Sequence, residues 1–194
     1  MNPWLIRVPA CVPVLAHPAP AVAEVDGAMG LSLSAEAAFA PLLGASADRI
    51  VLADQVAAAK WGTGRPIEDL AREQALLCQV AERAARAGVD PAVAEEIFRD
   101  QIEAAKLVQR GLHRRWAAHS EQAPAHRPDL ATEVRPALDR LTVRLLDAIR
   151  WMSRERAGPS CPARLAAARV RLNAERRLDA LHARGLARAL RSVC

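Results

Sequence analysis

Asp90-Pro91-Ala92-Val93-Ala94-Glu95-Glu96-Ile97-Phe98-Arg99-Asp100-Gln101-Ile102 opens the stretch that decides the fold. Asp is a preferred N-cap because its carboxylate accepts backbone N–H groups that have no partner inside the helix. Pro suits the first helical position because the N–H it lacks would be unpaired there anyway. The helix is predicted to run past Gln109 toward Ala118, and Pro124 and Pro128 mark a loop over residues 119–129.

The same signals recur on both sides. Upstream, Ser34-Ala35-Glu36 begins a helix that continues through Asp48-Arg49. Asp54 caps a short continuation to Lys60-Trp61, and Gly62-Thr63-Gly64 breaks it. Pro66 sits where a first helical turn tolerates it, and that helix is predicted to run to Gly88. Downstream, Asp129 or Thr132 starts a helix to about Arg156. Gly158-Pro159 ends it, and Ser160 caps a last helix to about Leu190. Composition agrees with helices. Alanine fills 43 of 194 positions, while 2 Phe and no Tyr leave sheets short of the residues they favour. The expected fold is an all-α single domain of five or six helices over residues 33–194, with no internal repeat.

Residues 1–24 read differently. Five of the 13 prolines fall in the first 20 positions, Arg7 precedes a short apolar run from Val8 to Ala16, and Ala21-Val22-Ala23 has a small-x-small pattern. This is the outline of a secretory signal peptide, with a disordered leader as the alternative. Nothing approaches 18 consecutive apolar residues, so no membrane-spanning helix is expected and no membrane association after the leader is removed.

Charge is uneven. Residues 1–109 carry a net −5 and residues 110–194 a net +10, and only Lys60 and Lys106 among the 27 basic residues are lysine. Eight arginines between Arg164 and Arg191 could serve phosphate. However, no nucleic-acid reading motif, no interleaved aromatic and no Tyr accompany them, so nucleic acid is not the expected partner. The common nucleotide-binding and zinc signatures are absent.

Of the four cysteines, Cys78 follows Leu76-Leu77 in a helical pattern and reads as a buried free thiol. Cys161 and Cys194 are either two thiols at helix ends or a bridge. A bridge would close a loop of 34 residues and stabilise the fold by about 3–4 kcal/mol in the chain-entropy model.

Several polar residues share faces. Arg49 and Lys60 are 11 apart, close to three helical turns. Asp69, Arg72 and Glu73 follow at i, i+3 and i+4. Gln109 lies deep in the long fourth helix, and Arg135 begins the fifth. These residues, with Ala47-Asp48-Arg49, Asp54-Gln55-Val56-Ala57-Ala58-Ala59-Lys60-Trp61, Pro66-Ile67-Glu68-Asp69, Ile97-Phe98-Arg99-Asp100-Gln101-Ile102 and Pro128-Asp129-Leu130, resemble the exported branch of the helical chorismate mutases, the gamma subclass of the AroQ class. The resemblance runs from about position 45 to the end.

It implies one reaction, the intramolecular Claisen rearrangement of chorismate to prephenate, in a periplasmic or secreted homodimer with each site inside one chain. It also implies a disulfide between Cys161 and Cys194. The substrate carries two carboxylates, and the breaking C–O bond places negative charge on an ether oxygen. Such a reaction needs preorganised donors and a clamp, and no nucleophile, metal or cofactor. By resemblance, Lys60 and Gln109 donate to the ether oxygen, and Arg49, Arg72 and Arg135 bind carboxylates. Glu73, with the backbone near Asp69, addresses the ring hydroxyl. Two positions depart from the pattern: Ala105 stands where the family usually has Ser or Thr, and Leu76 where exported members often have Gln.

Overall fold

The computed structural model describes residues 38–194. The predicted leader over residues 1–24, the helix start at Ser34-Ala35-Glu36 and the domain boundary at residue 33 lie outside them. The described residues contain no strand. They form α1 (Ala40–Lys60), α2 (Leu70–Arg86), α3 (Pro91–Ala118), α4 (Arg135–Trp151), α5 (Ser153–Arg156), α6 (Cys161–Arg176) and α7 (Ala180–Ala189). A 3₁₀ turn (Ser120–Gln122) and a π-helical turn (Leu130–Val134) lie between α3 and α4.

Among the described residues there are seven α-helices where five or six were expected over the domain, and two predicted helices divide. The fifth stops at Trp151, and α5 is a single turn after it. The last breaks at Arg177, which adopts a left-handed conformation with φ 50°, while Leu178 N–H returns to the Asn173 carbonyl at 3.1 Å. Asp179 then restarts the helix, accepting from the N–H groups of Leu181 and His182 at 3.0 and 2.9 Å. A strong N-cap behind a Schellman-type stop overrides the otherwise continuous helical composition.

Other boundaries move for similar reasons. Asp54 does not cap, because α1 runs through it unbroken and its side chain instead meets His182 at 2.8 Å. Pro66 lies in the loop, and α2 begins four residues later than expected, where the Asp69 carboxylate accepts from Arg72 N–H at 3.1 Å. Asp129 rather than Thr132 is the cap before α4, accepting from Ala131 and Thr132 N–H at 2.8 and 2.7 Å. Ser160 occupies the cap position of α6 without a side-chain bond. Asp90 and Pro91 open α3 as expected, with Ala92 N–H to the Asp90 carboxylate at 2.9 Å.

Helix α3 runs through the middle of the fold, against α1, α2 and α7. Phe39, Leu42, Ile97, Phe98, Leu145 and Met152 are fully buried in the main core. Gly111 and Gly185 let α7 approach α3 closely. A Cβ at Gly111 would lie 2.5 Å from Leu181, and one at Gly185 would lie 2.8 Å from Val108. Buried Gln101 joins three helices, donating to Ser46 Oγ at 2.9 Å and the Ala189 carbonyl at 3.1 Å. The end of α1 is fixed by Trp61, which packs edge-on against His113 and Trp116 with centroids 5.1 and 5.6 Å away. Cys161 and Cys194 form a disulfide that ties the C-terminus to the start of α6. Cys78 is free and half-buried rather than fully buried.

Candidate active site

Four helices present one face each to a shared cavity of about 160 Å³. Helix α1 contributes Arg49, Ala53, Val56 and Lys60, spaced i, i+4, i+7 and i+11, which is the recurrence of a single helix face. Helix α3 contributes Ile102, Ala105, Lys106 and Gln109, and α4 contributes Arg135, Leu138, Asp139 and Thr142, each at i, i+3, i+4 and i+7. Arg72, Glu73 and Leu76 come from the first turns of α2, and Asp69 and Ile67 from the loop before it. All seven residues singled out by sequence line this one cavity: Arg49, Lys60, Asp69, Arg72, Glu73, Gln109 and Arg135.

Their chemistry differs by position. Arg49 is only 5% exposed, with its guanidinium carbon 5.9 Å from the Phe98 ring centroid. Its Nε and Nη1 are buried without a hydrogen-bond partner. Burial lowers its pKa to about 10 against the opposing charge of Asp139, so it stays cationic at neutral pH. A buried cation with two free donors is costly unless an anion completes it.

Lys60 donates to the Ile67 carbonyl at 2.9 Å, which leaves further ammonium hydrogens for another acceptor. Burial lowers the Lys60 pKa, while the charges of Asp69, Glu68 and Glu73 pull it back. Gln109, 4% exposed, donates from Nε2 to the Ala105 carbonyl at 3.2 Å. An amide nitrogen carries two hydrogens, so one remains for a ligand. Its Oε1 is buried and unpartnered.

The start of α2 is braced by a reciprocal pair. Asp69 accepts from Arg72 N–H at 3.1 Å, and Glu73 Oε1 accepts from Asp69 N–H at 3.3 Å. This fixes the turn that carries Arg72. The two departures, Ala105 and Leu76, put apolar groups into the wall.

Sequence reasoning missed Lys106, Asp139 and Thr142. Thr142 donates to the Leu138 carbonyl at 2.9 Å, and Lys106 bridges Glu73 and Glu103 at 3.0 and 2.5 Å. The missing signal was helical spacing. Lys106 lies three residues before Gln109, and Asp139 and Thr142 lie four and seven after Arg135, so extending each face by a turn would have found them. A second cavity lined by Lys60, Arg65, Pro66, Asp69, Asp129, Leu130, Ala131 and Arg135 adjoins the first.

A small cationic hollow between four helices, lined by amide and ammonium donors, defines a class of site suited to a small polyanion. Residues 41–110 match the family model described as chorismate mutase type II. The chain is 34% identical over 175 residues to the secreted chorismate mutase of Mycobacterium tuberculosis, covering 90% of this chain and 83% of that one. It is 32% identical over 154 residues to the secreted chorismate mutase of Mycolicibacterium smegmatis, covering 79% and 84%. The crystal structure of chorismate mutase from Burkholderia thailandensis superposes with a TM-score of 0.78 at 41% identity, covering 81% of this chain and 99% of that one. The chain belongs to the type II chorismate mutases, an all-α isomerase family.

Proposed function

We propose that the cavity rearranges chorismate to prephenate with Lys60 and Gln109 as donors to the ether oxygen. Arg49, Arg72 and Arg135 hold the two carboxylates in this reading. The observation that carries it is the pair of unpartnered Arg49 nitrogens, buried in the same cavity as the spare hydrogens of Lys60 and Gln109. A planar guanidinium can bind two carboxylate oxygens at once. Clamped by its carboxylates, the substrate is held as the conformer in which the ether C–O bond breaks while the new C–C bond forms. Negative charge grows on the ether oxygen, and donors already in place stabilise it without reorganising. Glu73 and the Asp69 backbone address the ring hydroxyl. No covalent intermediate or cofactor enters.

We further propose that the enzyme works outside the cytoplasm as a homodimer. The leader-like sequence of residues 1–24, the Cys161–Cys194 disulfide and the secreted relatives support export. The resemblance to the exported family supports the homodimer, with each site inside one chain.

The test is chorismate turnover, followed as loss of its ultraviolet absorbance. Wild type should turn over. Lys60→Ala and Arg72→Ala should each lose at least about 100-fold in kcat/KM, the scale for one preorganised donor. Near-normal turnover by either variant removes these assignments.

A further inference from the structure

Lys106 is the buried charge in the cavity wall that the assignments above leave unused. Its side chain is 9% exposed and lines the cavity one position after Ala105. Its ammonium holds the Glu73 Oε2 at 3.0 Å and the Glu103 Oε1 at 2.5 Å. Burial acts to lower the Lys106 pKa, but the hydrogen bonds and charges of these two carboxylates outweigh it and raise the pKa overall.

The consequence falls on Glu73. Its Oε1 is already held by Asp69 N–H, so Lys106 fixes the second oxygen and with it the plane of the carboxylate. The network continues outward. Arg110 lies 3.8 Å from Glu103 and 2.6 Å from Glu68, which belongs to the loop carrying Ile67 and Asp69. Charges thus alternate from Glu73 through Lys106, Glu103 and Arg110 to Glu68, and fasten the wall that carries Asp69, Arg72 and Glu73 onto α3, which carries Gln109.

A bare carboxylate in this place would also repel a doubly anionic substrate in a partly dry cavity. The compact lysine ammonium can be shared by two carboxylates at once. Elsewhere the chain uses arginine almost throughout, and its only other lysine is Lys60.

We propose that Lys106 is a positioning residue for the rearrangement, orienting Glu73 toward the substrate's ring hydroxyl and cancelling the Glu73 charge inside the cavity. The inference rests on the chorismate reading above. It goes further in assigning the ring-hydroxyl contact to a Glu73–Lys106 unit rather than to Glu73 alone.

The test compares wild type, Lys106→Met, Lys106→Gln, Lys106→Arg, Glu73→Gln and the Glu73→Gln/Lys106→Met double variant. Each is assayed on chorismate and on a chorismate analogue with hydrogen in place of the ring hydroxyl. Thermal midpoints confirm that each variant is folded, and Lys106→Gln serves where Met disturbs the fold. On chorismate, Met or Gln should lose about 10- to 100-fold in kcat/KM, the scale of a misplaced contact, through both a lower kcat and a higher KM. Lys106→Arg should recover most of the loss. On the analogue the loss should be several-fold smaller than on chorismate, because the hydroxyl contact that Lys106 organises is gone and only the uncancelled Glu73 charge still acts on the two carboxylates. The double variant should lose no more than the worse single variant. Folded Lys106 variants with chorismate turnover within threefold of wild type overturn the proposal. So do equal losses on the two substrates, which would mark a purely structural lysine. If wild type itself leaves chorismate unchanged, the function reading falls and takes this inference with it. Wild-type turnover with insensitive Lys106 variants overturns this inference alone.

Discussion

Arg49 and Arg188 both point into the fold, and their surroundings differ in kind. Arg188 meets the Asp100 carboxylate, whose other oxygen accepts Ser192 N–H at 2.8 Å, and that cluster seals α7 and the C-terminus against α3. Arg49 keeps two buried nitrogens without a partner at the cavity wall. The seam of α7 repeats the first pattern, since His182 lies between Asp54 and Asp179 and Arg115 reaches Asp179 at 3.4 Å. Charges that hold helices together are matched within the chain. Charges in the cavity are left partly unmatched, and in the proposed reading the missing partner is the substrate. The unmatched set costs folding free energy that the matched set does not, and that cost is part of what a bound dianion relieves.

The sharpest way to break this contrast is Arg49→Met. The substitution keeps much of the volume and removes an unpaired buried charge. The expected result is a loss of about two to three orders of magnitude in kcat/KM, with a thermal midpoint equal to or above wild type. A variant that stays active but melts several degrees lower would place Arg49 among the structural charges, and the contrast would fail.

Asp100→Ala addresses the other side. It strands the Arg188 guanidinium and the Ser192 N–H, which are partly exposed, so we expect a loss of about 2–3 kcal/mol of stability in urea unfolding. Turnover per folded molecule should stay within about threefold of wild type at temperatures where the variant is folded. A catalytic defect larger than the stability defect explains would show that the α7 seam shapes the cavity.

The cavity residues were legible because each lies on the face of a long helix or beside a capping signal. Lys60 ends α1 just before Gly62-Thr63-Gly64, Gln109 lies within a helix announced by Asp90-Pro91, and Arg72 follows Asp69 by three. Which charge is matched was not legible. Asp100 lies 88 residues from Arg188, and His182 lies 128 from Asp54, so each pairing exists only after the helices pack. Helical spacing could have placed Lys106 on the cavity face, but its pairing with Glu73, 33 residues away on another helix, exists only after the helices pack. The break at Arg177 was missed for a local reason. Arginine at a left-handed stop lacks the glycine that usually announces one, and only Asp179 beyond it carried a helix-start signal.

The smallest expected effect lies in the α7 seam and depends on pH. Asp54 holds the His182 imidazolium by hydrogen bond and, with Asp179 adding to it against the cost of burial, raises its pKa to about 9. An unfolded histidine titrates near 6.5. Below about pH 6.5 the imidazole is protonated in both states, so the two ion pairs contribute in full. As pH rises through about 9 the folded state loses the proton, and the contribution goes with it. Asp179 behaves oppositely. Burial acts to raise its pKa, but the hydrogen bonds and charge of His182, with the charge of Arg115, lower it to about 2. Its contribution is present above the ordinary carboxylate value and disappears only as pH falls through about 2. The His182 side chain is 13% exposed, but Asp54 and Asp179 are 43% and 44% exposed, so solvent screens much of the interaction. We therefore expect the seam to contribute on the order of 1–2 kcal/mol near pH 6.5, and most of this to vanish by about pH 9.5. Urea unfolding of wild type and His182→Gln at pH 6.5, 8 and 9.5 reads this directly, because the difference between the two proteins cancels every other titrating group. That difference should shrink with rising pH while turnover per folded molecule, well below pH 9, is alike in both. A stability difference that holds constant across the window would mean that His182 acts through packing and neutral hydrogen bonds, and the seam would then owe little to matched charge.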